Sequence, residues 1–476
     1  MSITPSGYGA FSLDTVRNRQ STSRILDMKA SFTDLQRQLS TGKLSDTYEG
    51  LGAGRAKSLD VRQTLTALSG YAQTIQDATA RTGVADLALT RMEKIGSDLS
   101  KSLVLSAYEL DSNGQTLQQK AAKSNLQETI DLLNQDYAGR SLFAGRAADK
   151  KAVTVDADTM IAGIKAAIAA RKTNDGGTAA NPGRLTIATA GSVVTVTAPA
   201  PAVAPAPTYG LQLSAPKSFD FSATTPTDGQ SFSMDVLMPD GATSTVRVVA
   251  RSVVPSPDAG AGEISFLIGG SGAVTAGAFN TAMTSAVTAL TTSADFSAAS
   301  SVAGAKDYFA DTANWYGGDT SATPRASATA RVDEDQTVGL GMEASEPAFQ
   351  NLLAQLGVFA AESFSTTVAT DGDRYAALKT RVSDQIRNPV VPASPIAGKA
   401  YTIQSAHTDL ALGQVAVKEA KQRNTDTQAQ LENALSSVED VTTESVAAQL
   451  LAVQNQLQAS YQTTSMLSKL SLVNYL

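Results

Sequence analysis

Residues that could carry out chemistry are scarce in this chain of 476 residues. It contains one histidine, His407, and no cysteine. Disulfides, iron–sulfur clusters and thiol nucleophiles are therefore excluded, and one histidine is too few for the common zinc sites. His407 lies in a helical pattern between Ala406 and Thr408, which indicates a surface or partly packed side chain. We predict no catalytic residue, no metal site and no cofactor.

Three short motifs resemble parts of functional sites without completing their patterns. Asp156-Ala157-Asp158 and Asp371-Gly372-Asp373 look like fragments of calcium loops, but neither continues with the required spacing or the final glutamate. Both are therefore predicted to be solvated loops. Trp315-Tyr316 is an aromatic pair for which packing is the expected role. Because a GxSxG elbow and a glycine-rich phosphate loop are also absent, we predict that the chain is not an enzyme.

Composition narrows the class of protein. The formal net charge is −7 and no basic stripe is present, so nucleic acid is not an expected partner. No run of about 18 apolar residues occurs, so membrane insertion is not expected. The first residues lack the basic and apolar regions of a cleaved secretory signal, which predicts a cytoplasmic protein or one exported without cleavage. Aromatic residues make up only 5% of the chain, which favours burial between subunits over one large core.

Long amphipathic helices near both ends must organise this chain. The N-terminal pattern has apolar residues at 3-4-3-4 spacing, the C-terminal pattern has 4-3-4 spacing, and another stripe starts at Val61. Such coiled-coil seams are narrow and become buried only against another helix. The simplest partner for each terminal helix is the other terminus, in the same subunit or a neighbour. The candidate assembly interface comprises Ile25, Met28, Phe32, Leu35, Leu39, Val61, Leu65, Leu68, Ile75, Val446, Leu450, Val453, Leu457, Leu467 and Leu470.

Local patterns predict the order of the elements. Near the N-terminus they predict a helix over 12–39, a loop over 43–55, a long helical stretch over 61–103, a turn at Asn113-Gly114 and a third helix over 122–137. In the middle they predict strands within 186–197, a hairpin over 232–248, a strand at 264–268 and a short helix at 283–290. Near the C-terminus they predict a helix from Pro347, an interruption at 388–395, a long helix over 398–436, a break at 437–443 and a last helix over 444–470.

The predicted fold is mainly α with an α+β insertion. Long N- and C-terminal helices form a coiled-coil stem, and the central domain is rich in strands. The predicted domains are an N-terminal helical stem over 1–149, an exposed α+β insertion over 150–310, and a returning segment with the C-terminal helical stem over 311–476.

Two segments of the sequence resemble the bacterial flagellin and hook-associated protein family. Residues 35–58, LQRQLSTGKLSDTYEGLGAGRAKS, are similar to a family region in which a helix ends in leucine, serine or threonine, glycine and lysine before a loop. Residues 438–476 resemble the family's closing helix with its leucine-rich tail. The match is specific because both segments must occur in one chain at opposite ends.

Other segments resemble the hook–filament junction branch of the family, hook-associated protein 3. They are residues 139–145, Trp315–Asp319, 339–349 and the tail 470–476. The glycine-rich loop at 49–55 is equally similar to flagellins of some lineages, so the filament subunit stays open as an alternative. A secreted coiled-coil effector is a more remote alternative, and a hydrolase housed in 150–310 is the weakest.

The resemblance implies a structural subunit of the extracellular bacterial flagellum. Family members are exported unfolded by a type III apparatus, and their terminal helices order when they assemble into a helical tube. For the junction branch, the implied partners are other copies of the chain, hook-associated protein 1, flagellin and an export chaperone.

Overall fold

The computed structural model describes residues 11–202, 206–391, 395 and 398–473, with the backbone alone at 11–18 and 467–473. Helices make up most of this part of the chain. They are α1 (Phe11–Thr41), α2 (Arg55–Leu105), α3 (Leu117–Leu133), α4 (Ala157–Gly176), α5 (Gly272–Thr291), α6 (Ala294–Ala310), α7 (Pro347–Ala361), α8 (Asp371–Arg387), α9 (Ile403–Glu439) and α10 (Thr443–Val473). Short 3₁₀ helices occur at Tyr48–Gly54, Thr312–Asn314 and Pro324–Ser327.

Strands are short and concentrated in the middle of the chain. They are β1 (Asp136–Tyr137), β2 (Arg140–Ser141), β3 (Thr186–Ala190), β4 (Val193–Thr197), β5 (Lys217–Asp220), β6 (Ser231–Leu237), β7 (Thr243–Arg251), β8 (Ser265–Leu267), β9 (Thr329–Arg331) and β10 (Thr337–Gly339). β1–β2 and β9–β10 are small antiparallel pairs, and β3, β4 and β5 form an antiparallel sheet. In the last sheet β7 pairs antiparallel with β6 and parallel with β8. The mainly α fold with a strand-rich insertion is thus confirmed.

Several helix ends follow from local side-chain chemistry. Gly42 adopts a φ of +67° directly after α1, a left-handed conformation that favours glycine and ends the helix. Thr116 caps α3: its Oγ1 accepts the Gln119 N–H, while the Gln119 side chain accepts the Thr116 N–H. Pro347 occupies the first turn of α7, where its missing N–H has no cost.

The chain divides into two compact units. The stem unit contains the described residues up to 75, residues 332–336 and those from 418 onward, and the body unit contains 76–331 and 337–417. Helices α2 and α9 contribute residues to both. The boundaries predicted at 149/150 and 310/311 stay a prediction.

The stem unit consists of helix pairs. α1 packs along α10, and Met28 lies against Ser460 while Gly42 lies against Val441, so the pair is antiparallel. α9 contacts α2 where the Asn424 Nδ2 donates to the Leu68 carbonyl at 2.9 Å. The hairpin tip at 332–336 joins this unit through a hydrogen bond between Gln336 and Arg423.

The body unit has two hydrophobic cores. The larger one is formed by apolar residues of α2, α3, α4, α6, α7, α8 and the start of α9, with Trp315 and Phe143 fully buried in it. The smaller one consists of residues between 185 and 299, where α5 crosses the two three-stranded sheets. The rings of Phe219, Phe221, Phe232, Phe266 and Phe279 pack against one another in edge-to-face and tilted pairs within this second core.

Helix α6 connects the two cores. Phe296 and Ala299 belong to the smaller core, and Val302 and Ala305 belong to the larger one. A salt bridge reinforces this link, because Arg381 of α8 binds both Asp240 in the β6–β7 turn and Asp295 at the start of α6.

Four local predictions are wrong. Asp156 is not in a solvated loop but caps α4, accepting the Thr159 N–H at 2.7 Å. Asp371 is buried at the start of α8, where it binds Arg374 and the Ser365 N–H. The third helix ends at Leu133, because Tyr137 enters the β1–β2 hairpin with Gly139 at a φ of +73°. The last break is shorter than predicted, since α9 continues to Glu439.

A carboxyl group in the loop between α2 and α3 should titrate at an unusually low pH. Asp111 pairs with Lys120 and accepts the N–H groups of Gln115 and Asn113, and these contacts, the Lys120 hydrogen bond above all, lower its pKa to about 2. A lowered folded pKa adds stability above the ordinary value of 3.8, which is lost as the pH falls towards 2. We expect an NMR titration midpoint of about pH 2 for this carboxyl. Lys120→Gln should raise it; an unchanged midpoint would contradict the assigned cause.

Candidate assembly surface

In the stem unit, the end of α1 and the start of α10 meet the start of α2 and the end of α9. We call this meeting point the clasp: residues 42–44, Ser58, Arg62 and 439–441. The Leu44 N–H donates to the Glu439 carbonyl at 2.7 Å, and the Val441 N–H donates to the Gly42 carbonyl at 3.0 Å. These bonds form an antiparallel β-bridge between Lys43 and Asp440. Backbone pairing therefore joins residues almost 400 positions apart.

Glu439 is the centre of the clasp. Its carboxylate is largely buried, with 7% of the side chain exposed, and accepts hydrogen bonds from Ser58 Oγ at 2.5 Å, Arg62 Nε at 2.8 Å and Arg62 Nη2 at 2.6 Å. The two-point contact with Arg62 is the strong, directional form of a charged hydrogen bond. The Arg62 hydrogen bond lowers the pKa of Glu439 against the opposing effect of burial, and Ser58 and Lys43 add to the lowering. Glu439 therefore stays ionised and holds α9 against the first turns of α2.

Two further contacts order the loop between α1 and α2. Arg37 donates to Asp34 on its own helix, to Asp46 at 3.0 Å and to the Leu44 carbonyl at 2.9 Å. Lys43 Nζ lies 2.5 Å from Asp440 Oδ1. The loop is thus tied to α1 through Arg37 and to the connection between α9 and α10 through Lys43.

The predicted interface residues differ in their exposure within the chain. Leu35, Val61, Leu68, Ile75 and Val446 are buried. Ile25, Met28, Phe32, Leu65, Leu450, Val453 and Leu457 are half-buried, and Leu39 is 39% exposed. The side chains of Leu467 and Leu470 lie outside the described part of the chain. The α1 and α10 seams therefore pack against each other within one chain, which is one of the two predicted arrangements. Contacts of these residues between subunits stay a prediction.

The α1–α10 pair also leaves large apolar side chains in contact with solvent. Leu26 is 60% exposed, Leu451 59%, Tyr461 47% and Met466 63%. Two helices in water bury one narrow seam and depend on further packing for stability. This pair consequently presents apolar surface on its outer faces as well as in its own seam.

Three segments of the body unit form one contact set, which we call the 139–145 cluster. The Asp319 N–H donates to the Ala144 carbonyl at 3.0 Å, and the Ala344 N–H donates to the Phe143 carbonyl at 2.8 Å. Trp315 packs beside this set and donates from Nε1 to the Phe309 carbonyl at 3.1 Å. The predicted packing role of Trp315 is confirmed.

Gly145 in this cluster is a sensitive position. Its φ is +63°, and a Cβ placed there would lie 2.5 Å from the Asp319 carbonyl oxygen. Gly145→Ala should lower the free energy of unfolding of the body unit by about 1–2 kcal/mol through strain and steric conflict. Gly139→Ala is the matched control, because φ is +73° there but nothing lies within 4 Å of an added Cβ. Urea unfolding followed by the fluorescence of Trp315, the only tryptophan, measures both. Equal effects would contradict the steric part of the explanation.

The single histidine of the chain lies beside an acidic side chain. His407 Nε2 lies 2.8 Å from Asp86 Oδ1, and the side chain is 29% exposed, as predicted for a partly packed histidine. Over the described ranges, histidine and acidic side chains nowhere come together in a group of three that could bind a metal ion. In that same part of the chain, none of the helices combines the length and apolar character of a membrane span.

Sequence reasoning missed the clasp entirely. Arg62 and Glu439 are 377 residues apart, and each looks like an ordinary surface charge on a helix. One pattern in the sequence could have indicated it. The predicted loop at 43–55 and the predicted break at 437–443 each lie at the end of one terminal seam, so packing the two seams against each other brings these connections together.

Comparison with known proteins adds a family match. Residues 15–148 match the model of the bacterial flagellin N-terminal helical region. This range contains α1 from residue 15 onward, the α1–α2 loop with its part of the clasp, α2, α3 and the β1–β2 hairpin. A search of curated proteins returned no match to the chain.

Proposed function

We propose that this chain is a structural subunit of the bacterial flagellum that joins the hook to the filament, because residues 15–148 match the model of the bacterial flagellin N-terminal helical region. The family is structural rather than enzymatic, and its members self-assemble into an extracellular filament. The junction role is the finer part of the proposal.

The apolar surface of the stem unit supports assembly through the terminal helices. The α1–α10 pair has a seam that is only half-buried over most of its length and carries further exposed apolar side chains such as Leu26 and Leu451. Neighbouring copies arranged around a tube would cover this surface, because a repeated contact between unlike faces generates a helical assembly. The predicted seam residues are proposed to make these contacts.

The 139–145 cluster supports the junction role through the segments that it brings together. The segments that resemble the junction branch, residues 139–145, Trp315–Asp319 and 339–349, contact each other through backbone hydrogen bonds and a β-bridge between Ala144 and Glu343. Their joint occurrence as one packed unit supports a shared structural role.

The same proposal includes export through the type III apparatus, a chaperone, and contacts with hook-associated protein 1 and flagellin.

Reconstitution on flagellar ends tests this proposal. The purified chain is added to isolated hooks, flagellin is added next, and the products are observed by negative-stain electron microscopy. We expect the chain to bind hook ends and to be required before flagellin extends them. Long filaments formed from this chain alone would instead assign it as flagellin, and a chain that neither binds nor polymerises would contradict a flagellar role.

A further inference from the structure

The loop between α2 and α3 contains a dipeptide that the proposed function does not use. Asn113 is followed by Gly114, and none of the other asparagines in the chain precedes a glycine. Asparagine is a thermally labile residue, because the backbone nitrogen of the next residue can attack its side-chain amide. A Cβ on that next residue hinders the attack, and glycine has none. The loop therefore contains the least hindered asparagine of the sequence.

The structure leaves the Asn113 side chain free to react. Asn113 and Gly114 are both exposed, and the Asn113 amide has no hydrogen-bond partner among the described residues. Gly114 has a φ of +71°, and nothing lies within 4 Å of a Cβ placed there. Asn134 is different, because both ends of its amide bond to the Val153 backbone. Solvent surrounds the Asn113 dipeptide, so water can reach the reacting atoms.

Three hydrogen bonds to Asp111 oppose the attack. Asp111 Oδ1 accepts the N–H of Asn113 at 2.8 Å and that of Gln115 at 3.0 Å, and the Asp111 carbonyl accepts the Gly114 N–H at 3.0 Å. The attacking nitrogen is thus held in the turn and becomes available only when the turn opens. Exposed loops open locally at a low cost in free energy. Asp111 therefore slows the reaction without blocking it.

We propose that Asn113 is a site of spontaneous deamidation, with water as the only co-reactant. The Gly114 nitrogen loses its proton to solvent and bonds to Asn113 Cγ, and the side-chain NH₂ takes up a proton and leaves as ammonia. Water then opens the cyclic imide at either carbonyl, which gives aspartate or isoaspartate. No atom is oxidised or reduced, and the steps together exchange NH₂ for OH.

The products change both the shape and the charge of the loop. Isoaspartate inserts a CH₂ group into the main chain before Gly114, which moves the Gln115 N–H relative to Asp111. Both products also place a new carboxylate beside Asp111, so like charges repel within the turn. We expect the connection between α2 and α3 to loosen, with hydrogen exchange at Gln115 at least threefold faster in the converted chain.

Incubation of the purified full chain in mildly alkaline buffer tests the proposal. The incubation lasts until the same chain, unfolded in guanidinium chloride, has converted. Trypsin then releases residues 102–120 as one peptide, in which mass and isoaspartate content are measured. We expect conversion at Asn113 and none at Asn433, an exposed asparagine of α9 that precedes alanine. Gly114→Ala should slow conversion at least tenfold, and Asp111→Ala should speed it at least threefold.

Each result decides the question. An intact Asn113 in the folded chain overturns the proposal, because the fold then protects a site that reacts when unfolded. Equal conversion at Asn433, or an unchanged rate in Gly114→Ala, also overturns it. Identical hydrogen exchange at Gln115 before and after conversion would contradict the loosening of the loop. The measurements need no flagella, so their outcome is independent of the proposed function.

Discussion

Leu35→Asp should abolish incorporation of the chain into flagella and leave the body unit folded. Leu35 is 8% exposed in the seam of α1, the helix that packs along α10. The substitution removes an apolar contribution of about 2 kcal/mol and introduces a carboxylate that has no partner in the seam. Because a pair of helices in water is only marginally stable, this loss should separate α1 from α10. Swimming motility and the amount of chain in purified flagella measure the effect, and Trp315 fluorescence reports the body unit.

Gln36→Asp is the matched control for this experiment. Gln36 is the next residue on the same helix and is exposed, so the same carboxylate is introduced outside the seam. We expect motility close to that of the unmodified strain. Normal motility with Leu35→Asp would remove the basis for assigning assembly to the terminal helices.

Glu439→Ala should open the clasp. The variant loses the two-point contact with Arg62 and the hydrogen bond from Ser58 Oγ. Since 48% of the Arg62 side chain is exposed and water can replace part of the contact, the expected loss of stability in the stem unit is about 2–3 kcal/mol. Hydrogen exchange at Leu44 and Val441, whose N–H groups bond across the clasp, measures the opening. We expect at least tenfold faster exchange at both.

The pH dependence of this effect has a defined sign. The pKa of Glu439 is lowered in the folded chain, chiefly by the Arg62 hydrogen bond, from an ordinary value of 4.5. Its contribution is therefore complete above pH 4.5 and is lost as the pH falls through the lower folded pKa. Glu439→Ala and the unmodified chain should converge in strong acid. Glu432→Ala, an exposed carboxylate on the same helix, is the control; faster exchange there too would show that the effect is not specific to the clasp.

Periodicity predicted the parts of the fold that depend on one helix or one strand at a time. The seams around Leu35 and Val446, the β6–β7 hairpin and the start of α7 at Pro347 were all predicted. Each depends on a repeat or a turn within about 20 residues, where the side-chain pattern directly reflects which face is buried. The family resemblance added the flagellar assignment, which spacing alone did not provide.

Contacts between distant segments were not predictable in the same way. Glu439 and Arg62 acquire their roles only when α9 meets α2, and Asp371 becomes buried only when α8 packs in the larger core. α6 was missed because alanine, serine and glycine replace most of the large apolar residues that make a helical stripe visible. α4 does carry such a stripe, at Met160, Ile164 and Ile168, and it was overlooked.

Locating the chain on the cell tests the proposed role in the flagellum most directly. A gene deletion in the bacterium that encodes it is combined with gold-labelled antibodies against the chain on intact flagella. We predict one site of label at the hook end of each flagellum, and deleted cells that retain hooks but have no attached filaments. Label absent from flagella, together with normal filaments in the deleted cells, would contradict the assignment.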